Sequence, residues 1–466
     1  MKISTYITLL ALVLLMTIIS CRKDKNVYNT SASLSFSQDT VLFDTLFTTI
    51  GSTTKKFKIY NTSNKPINIS KILLGEGTNS MYRINVNGFA GTEFTDVEIP
   101  EKDSIFVFVE VTIDPNNGTT PMIVEDKIIF STNGHKQQVV LNAFGQDAYF
   151  HVNEILTVST VWPNDKPHVI YNYCAVDSAL SLTIPGGTHI YSFNNSSLYV
   201  YKGSLQVQGS LGNEVTFEQS RTEDFILANA DSVAGQWRGL YFFAPQNSKI
   251  EYATIKNATI GIQIDTLNGQ DSVILENVRV DNSSFAAIVT QGGNVYANSC
   301  LFGSAGSYSS FLSIGGSLFF DHCTFGNYWP TQRNSVLFAL KNYYETNTSI
   351  VFRPFTKAII KNSIIYGNND NEIAIDTLNR TLSGAAPNFN FINCLIKSED
   401  PVSNTNFYSS CWRNQDPLFS DPLYWNFQTN NSSSTNQKGT DTNPINDLLG
   451  NSRNFTGNDL GAYNAP

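Results

Sequence analysis

Gly293-Asn294-Val295-Tyr296-Ala297-Asn298-Ser299-Cys300-Leu301-Phe302 and Gly316-Ser317-Leu318-Phe319-Phe320-Asp321-His322-Cys323-Thr324-Phe325 align without a gap at an offset of 23 residues. Gly292 and Gly315 extend the match. Weaker copies end at Ala253-Thr254-Ile255, Val278-Arg279-Val280, Ser363-Ile364-Ile365 and Cys394-Leu395-Ile396. A period in the low twenties, filled with strand-forming residues and lacking a helical pattern, predicts a β-solenoid in which each copy is one rung.

The alternation inside one copy assigns the faces. Leu318 and Phe320 share a side, as do Cys323 and Phe325, so these four are expected to point into the solenoid. Asp321 points the other way and His322 is the corner. Equivalent corners are Asn277, Ser299, Asn362 and Asn393, and the next turn uses Asn257, Asn282, Ser304 and Asn327. Asn, Ser and His tolerate tight corners, and amides stacked rung on rung are expected to bond one another along the axis. Cys300, Cys323 and Cys394 occupy one repeat position with Ala253, Val278 and Ser363, so they read as small buried side chains rather than disulfide partners. The sequence does not say whether Cys174 and Cys411 pair. No Cys–His metal spacing occurs, and no metal or cofactor is expected.

Two outward rows follow from this register. One is Glu251, Glu276, Asn298, Asp321, Lys361; its neighbour is Lys249, Ile274, Tyr296, Phe319, Ile359. At a rung spacing of about 4.8 Å, Glu276 and Asp321 would stand roughly 9 to 10 Å apart, near the upper end of the separation used by inverting glycosidases. Tyr296 and Phe319 would offer aromatic faces to sugar rings. Glu276, Tyr296, Asn298, Phe319 and Asp321 are therefore the candidate glycan-binding residues, while no catalytic residue is assigned. Between Phe325 and Ile365 the spacing swells to 40 residues. The excess, about 327 to 357, carries Trp329, Arg333, Phe338, Lys341, Tyr343, Tyr344 and Arg353. It reads as a loop thrown from one rung, expected to form the other wall of a groove beside Tyr296 and Phe319.

The rungs begin near Ala148, with Ser181–Ile190, Ser197–Gly209 and Gln236–Phe242 as early members. This order resembles the right-handed parallel β-helix proteins of Bacteroidetes, the pectin-lyase-like fold. Asp416-Pro417-Leu418-Phe419, Asp447-Leu448-Leu449-Gly450-Asn451-Ser452-Arg453 and Asp459-Leu460-Gly461-Ala462-Tyr463 resemble the closing motif of that group. Asp321-His322-Cys323 is similar to a short stretch of pectate lyases, too short to carry a role. The domain 148–466 is therefore expected to be a right-handed parallel β-helix, with a terminal capping segment from about 401.

From about Thr30 to Asp147, short alternating segments are separated by turn signals. The clearest are Lys56–Tyr60, Ile67–Ile69, Ile105–Val111, Lys127–Phe130 and Val139–Leu141. The pattern predicts an antiparallel sandwich over 30–147. Phe57–Ile69 resembles the opening hairpin of Ig-like modules common in bacterial surface proteins and in the spindle- and hydin-related family, which implies an Ig-like β-sandwich and no activity. The chain is thus expected to be all-β.

Residues 1–20 have a charged start at Lys2 and an apolar run from Ile7 to Ile19, the form of a signal peptide. Ile18-Ile19-Ser20-Cys21 resembles a bacterial lipobox, which implies lipidation of Cys21 and a membrane-anchored tether over 21–29. The cell envelope, most simply the outer membrane, is the expected location. Asp followed by Ser or Thr and an aliphatic residue recurs, which resembles the O-glycosylation sequon of Bacteroidetes. It marks Thr40, Thr45, Ser104, Ser178, Ser232, Thr266, Ser272 and Thr377 as candidate acceptors.

The net charge of −9 removes nucleic acid from the list of partners, since no basic stripe is present to meet phosphates. No Ser-His-Asp order, phosphate loop or polygalacturonase signature occurs. Two functional classes remain. One is a non-catalytic envelope lipoprotein that presents its β-helix to a polysaccharide or other surface component. The alternative is a polysaccharide lyase or glycoside hydrolase of the same fold.

Overall fold

A computed structural model of the protein describes residues 28–31, 33–220, 232–265, 271–377, 388–440, 446–453 and 456–465. The chain divides between Asp147 and Ala148 into two compact units.

The first unit is a sandwich of two five-stranded sheets. One sheet runs Ser35–Phe36, Lys55–Tyr60, Ser104–Val111, Tyr82–Val86, Phe89–Gly91; the other runs Thr40–Phe47, His135–Gln146, Met122–Thr132, Ile67–Leu74, Glu93–Ile99. Pairing is antiparallel except between Thr40–Phe47 and His135–Gln146. Alternation explains the packing. Phe57 and Ile59 are buried while Lys56 faces solvent, and Ile105, Val107, Val109 and Val111 enter the same core. Tyr82 is buried with them, and its hydroxyl donates to the Val124 carbonyl at 2.7 Å.

The second unit is a parallel β-helix with three walls per rung. The first wall is a ten-stranded parallel sheet that includes Ser248–Glu251, Ser272–Glu276, Asn294–Asn298, Gly316–Asp321 and Phe355–Lys361. The second and third walls form a continuous 18-stranded sheet. Leu301–Phe302, Thr324–Asn327 and Ile364–Gly367 stack in the second wall. Ala286–Gln291, Tyr308–Ser313 and Phe338–Lys341 stack in the third.

The expected inward set is inward. Leu318, Phe320, Cys323 and Phe325 are all buried in one apolar column with Cys300 and Cys394. All five described cysteines are free thiols. The corner residues Asn277, Ser299, His322, Asn362 and Asn393 have φ between 48° and 54°, the left-handed region. The glycine pair that extends the repeat has the same cause: Gly292 and Gly315 have φ of 77° and 89°, which a side chain would strain.

The corner amides do not mainly bond each other. Asn282 Nδ2 donates to Asn257 Oδ1 at 2.6 Å, as expected of the second turn. The first corner instead faces the end of the chain. Asn277 Nδ2 donates to the Asp447 carbonyl (2.8 Å), Ser299 Oγ to Asn446 (2.9 Å), His322 Nδ1 to Asp459 (3.1 Å) and Asn362 Nδ2 to Thr440 (2.8 Å). Rung pairing continues through Trp412–Arg413, later than the start near 401 expected for the terminal segment. That segment does more than close the last rung: it returns along the corner column. The reason lies in the second wall, whose outward residues at Leu301, Ile364 and Leu395 are apolar. Leu301 packs against Phe427, Ala462 and Tyr463, and Ile364 and Leu395 pack against Leu460. A strand that is apolar on both faces needs covering on both. The Asp-Leu-Gly-Ala-Tyr motif supplies that cover. Gly461 has φ 87°, and a Cβ there would come within 2.6 Å of Thr324 Oγ1. Asp447 and Asp459 gather backbone N–H groups of the segment, including those of Asn451 and Ala465 at 2.7 Å.

Candidate functional site

The two outward rows of the first wall have the expected register. Glu251 pairs with Glu276, Glu276 with Asn298, Asn298 with Asp321 and Asp321 with Lys361; Lys249, Ile274, Tyr296, Phe319 and Ile359 follow in the same way. Tyr296 is 42% exposed and Phe319 half-buried, with ring centroids 6.3 Å apart and planes tilted by 39°. Parallel stacking puts these rings in adjacent rungs because both occupy the same strand position.

The acidic row differs from its expected form. Lys249 Nζ lies 2.7 Å from Glu251 Oε1 and 2.8 Å from Glu276 Oε2, so one ammonium ties both carboxylates. Asp321 is only 3% exposed and does not stand on the open face with Glu276. Its carboxylate turns to the corner, where Asn362 Nδ2 donates to Oδ1 at 2.8 Å. The expectation that Asp321 borders a sugar site, or forms a hydrolytic pair with Glu276, is therefore corrected. As the last residue before the corner, it falls under the returning C-terminal segment.

Burial raises the Asp321 carboxyl to about 6, against the opposing effects of the Asn362 amide, Lys361 and Arg453. Its folded value exceeds its ordinary value of 3.8. The stability it contributes is present below about pH 4 and lost as pH rises through 6. Asp321→Asn keeps an acceptor for Asn362 and removes this titration. The stability of the wild type relative to Asp321→Asn should fall by roughly 2 to 3 kcal/mol between pH 4 and pH 7. Urea unfolding at several pH values checks this; a constant difference would place the carboxylate in water.

The long insertion is two pieces rather than one loop. Phe338–Lys341 is a regular third-wall strand, and Leu337, Phe338 and Leu340 join the core. Before it, Arg333 is buried against Glu372. After it, Tyr343–Glu345 and Ile350–Phe352 form an antiparallel hairpin. The hairpin shelters a pocket of about 480 Å³ lined by Gln291, Phe311, Lys341, Tyr344, Glu345 and Arg353, among others. Tyr296 and Phe319 are not part of this lining, so the hairpin's pocket is built on the third wall, not beside those rings. Nothing in the sequence pattern singles out Phe311, Gln291 or Glu345. Their signal is an outward aromatic on the third wall, visible only once that wall's register is known.

Lys341 Nζ sits 4.1 Å from the centroid of the Tyr343 ring, and Arg353 lies 5.6 Å from that of Tyr344. Tyr343 donates to Asp376 Oδ2 at 2.7 Å, and Lys341 is 3.5 Å from the same atom. The bond to Asp376 raises the Tyr343 phenol. Burial works against the Lys341 charge, but Tyr343 and Asp376 outweigh it and its ammonium titrates above the usual range. Neither group is poised as a base near neutral pH; both suit the binding of a polar or anionic ring.

Cys21 and Thr266 lie outside the described residues. Thr45, Ser178 and Ser232 are exposed, while Thr40, Ser104, Ser272 and Thr377 are half-buried. Asp103 and Asp177 each accept the next residue's backbone N–H at 2.7 Å, the turn chemistry that also favours this tripeptide.

No protein-family model matches the chain, and no curated protein matches it. Among solved structures, a family 123 glycoside hydrolase from Clostridium perfringens is similar over 25% of this chain and 30% of its own, at 11% identity and a TM-score of 0.17. A likeness that slight carries no argument about this protein's activity.

Proposed function

We propose that this protein is a glycan-binding β-helix of the cell envelope, anchored through lipid on Cys21 and without hydrolytic activity of its own. The observation that carries the reading is the pair of rings at Tyr296 and Phe319, in register on an open strip of the first wall. The rung spacing of about 4.8 Å is close to the length of one sugar unit, so a chain laid along the axis would meet one ring per residue. Each contact of this kind contributes about 0.5 to 1.5 kcal/mol beyond burial. The carboxylates favour binding over hydrolysis: Glu251 and Glu276 share Lys249, and Asp321 is buried.

The test is retention of the Cys21→Ser protein on immobilised acidic and neutral polysaccharides, with a parallel assay for new reducing or unsaturated ends. Retention without new ends is expected. Alanine at both Tyr296 and Phe319 should weaken retention about tenfold while leaving the melting temperature within a few degrees. New ends formed by the wild type would replace this reading with a lyase or hydrolase. Loss of retention in Lys341→Ala/Arg353→Ala, with the double ring variant unaffected, would move the site to the hairpin pocket.

The anchor and the sugars on the protein are read together. Protein isolated from its native host should exceed the mass of a polypeptide starting at Cys21 by its acyl chains and by glycan on one or more of the eight candidate hydroxyls. Cys21→Ser should lose the acyl mass and leave the membrane fraction. An intact mass equal to the lipidated polypeptide alone would remove the glycosylation.

A further inference from the structure

The first rung of the β-helix holds a polar cluster that the glycan reading does not use. Tyr149–Leu156 pairs in parallel with His168–Val176, with a register shift between Val152 and Glu154. Asn153 and Asn172 take φ of 51° and 61° at that shift, and Asn172 Nδ2 donates to Asn153 Oδ1 at 3.1 Å. In a regular strand, residues three apart face opposite sides. The extra left-handed residue reverses the parity, so His151 and Glu154 meet on the same side, across from Cys174.

Hydrogen-bond direction then determines what lies between them. His168 Nε2 is 2.8 Å from the Pro163 carbonyl, which only accepts, so Nε2 carries the proton. The neutral ring presents a lone pair at Nδ1. His151 Nε2 is 2.8 Å from that atom and must donate to it. His151 is therefore left with a lone pair at Nδ1, and Nδ1 is directed at Glu154 Oε2. A carboxylate oxygen is also an acceptor. The rings are 8% and 1% exposed, and Trp162 lies flat against both at centroid distances of 4.3 Å. Two acceptors aimed at each other need either a proton or a metal ion between them.

A third donor atom faces the same point. The thiols of Cys300, Cys323, Cys394 and Cys411 each donate to a backbone carbonyl of the neighbouring rung. Cys174 is fully buried, yet its Sγ makes no hydrogen bond with any described residue. One donor atom each from His151, Glu154 and Cys174 lie within 4.8 Å of one another. Ligand atoms on one tetrahedral zinc stand roughly 3.3 to 3.8 Å apart, so an ion here would draw Cys174 Sγ inward and part His151 Nδ1 from Glu154 Oε2, which now touch as a hydrogen-bonded pair.

We propose that His151 Nδ1, Glu154 and the Cys174 thiolate bind a divalent transition metal, zinc by the softness of the donor set, with a fourth position left to water or a ligand. His168 is the positioning residue: by accepting from His151 Nε2 it selects the tautomer that offers Nδ1, as outer-shell partners of metal-bound histidines do. Binding releases the thiol proton to solvent, so no oxidant or reductant is involved. The donors come from two strands at spacings of three and twenty residues, which matches no linear zinc motif and explains why the sequence alone showed none.

The experiment uses the untagged Cys21→Ser protein, stripped with chelator and dialysed against zinc or cobalt. One metal ion per chain is expected, together with a rise in melting temperature. The cobalt form should show a thiolate charge-transfer band and the strong visible absorption of a four-coordinate ion. Cys174→Ser is close to isosteric and should keep the fold, lose the charge-transfer band and raise Kd at least tenfold. His168→Gln should raise Kd by about 10 to 100-fold. Folded wild-type protein that takes up less than stoichiometric metal overturns the site, and a proton shared between His151 and Glu154 then joins the two acceptors. Cobalt spectra unchanged in Cys174→Ser and in His151→Gln would also overturn it, by placing the metal elsewhere.

Discussion

Cys323→Asp should destabilise the β-helix by at least about 4 kcal/mol, enough to prevent accumulation of the folded protein. Cys323 is fully buried, and its Sγ lies 3.5 Å from the Ala297 carbonyl and 3.4 Å from that of Asp321. A carboxylate there would face these two carbonyl acceptors in an apolar interior. Cys323→Ser should be far milder, by about 1 kcal/mol, because the next rung already carries Ser363 at this position. Ser363 Oγ donates to the Lys361 carbonyl at 2.6 Å and accepts from Cys323 N at 3.1 Å. Burial also keeps the Cys323 thiol well above the usual thiol range, so thiolate is scarce in the native state. Native Cys300 and Cys323 should resist thiol reagents until denaturant opens the fold. Guanidinium unfolding and timed labelling measure the two effects. Rapid native labelling, or a Cys323→Asp protein as stable as wild type, would mean that this column does not face inward.

The second large effect is expected at Arg333→Ala. Both side chains of the Arg333–Glu372 pair are fully buried, with Nη2 2.6 Å from Oε1. The carboxylate also accepts from the backbone N–H groups of Asn369 at 2.9 Å and Leu337 at 3.0 Å. It thereby joins the loop before Phe338–Lys341 to the rung that follows. Removing the guanidinium leaves a charge in the interior, at a cost of about 3 to 5 kcal/mol. Adding Glu372→Gln should recover part of this, since the amide oxygen still accepts and no charge remains. Burial already raises the Glu372 carboxyl. Without Arg333 it rises further, so the deficit of Arg333→Ala should shrink as pH falls from 8 to 5 and the acid is neutralised. Unfolding of the four proteins of this cycle at both pH values measures it. A deficit below about 1 kcal/mol at pH 8, or one that grows on acidification, would refute a buried ion pair.

The sequence by itself determined the rung. Residues Leu318, Phe320, Cys323 and Phe325 could be assigned inward, and His322 to a corner, because a solenoid stacks each residue on its counterpart one period away. Packing there is decided by parity and side-chain size, both of which are local. The register that sets Tyr296 beside Phe319 was legible for the same reason. The signs of the C-terminal cover were also in the text, as the doubly apolar Leu301-Phe302, Ile364-Ile365 and Leu395-Ile396.

Tertiary structure alone decided whatever breaks the period. Asp321 reads as an outward acid by alternation, yet it is buried because the returning segment reaches that corner. Arg333 and Glu372 are 39 residues apart and meet only because Glu372 directly precedes the third-wall strand that stacks on Phe338–Lys341 in the next rung. The hairpin pocket depends on where the third wall ends, and the His151, Glu154 and Cys174 cluster depends on one left-handed residue that reverses a strand's parity. A repeat repeats its hydrophobic instructions in every copy, but a polar site is made once, by segments whose separation in sequence bears no relation to their separation in space.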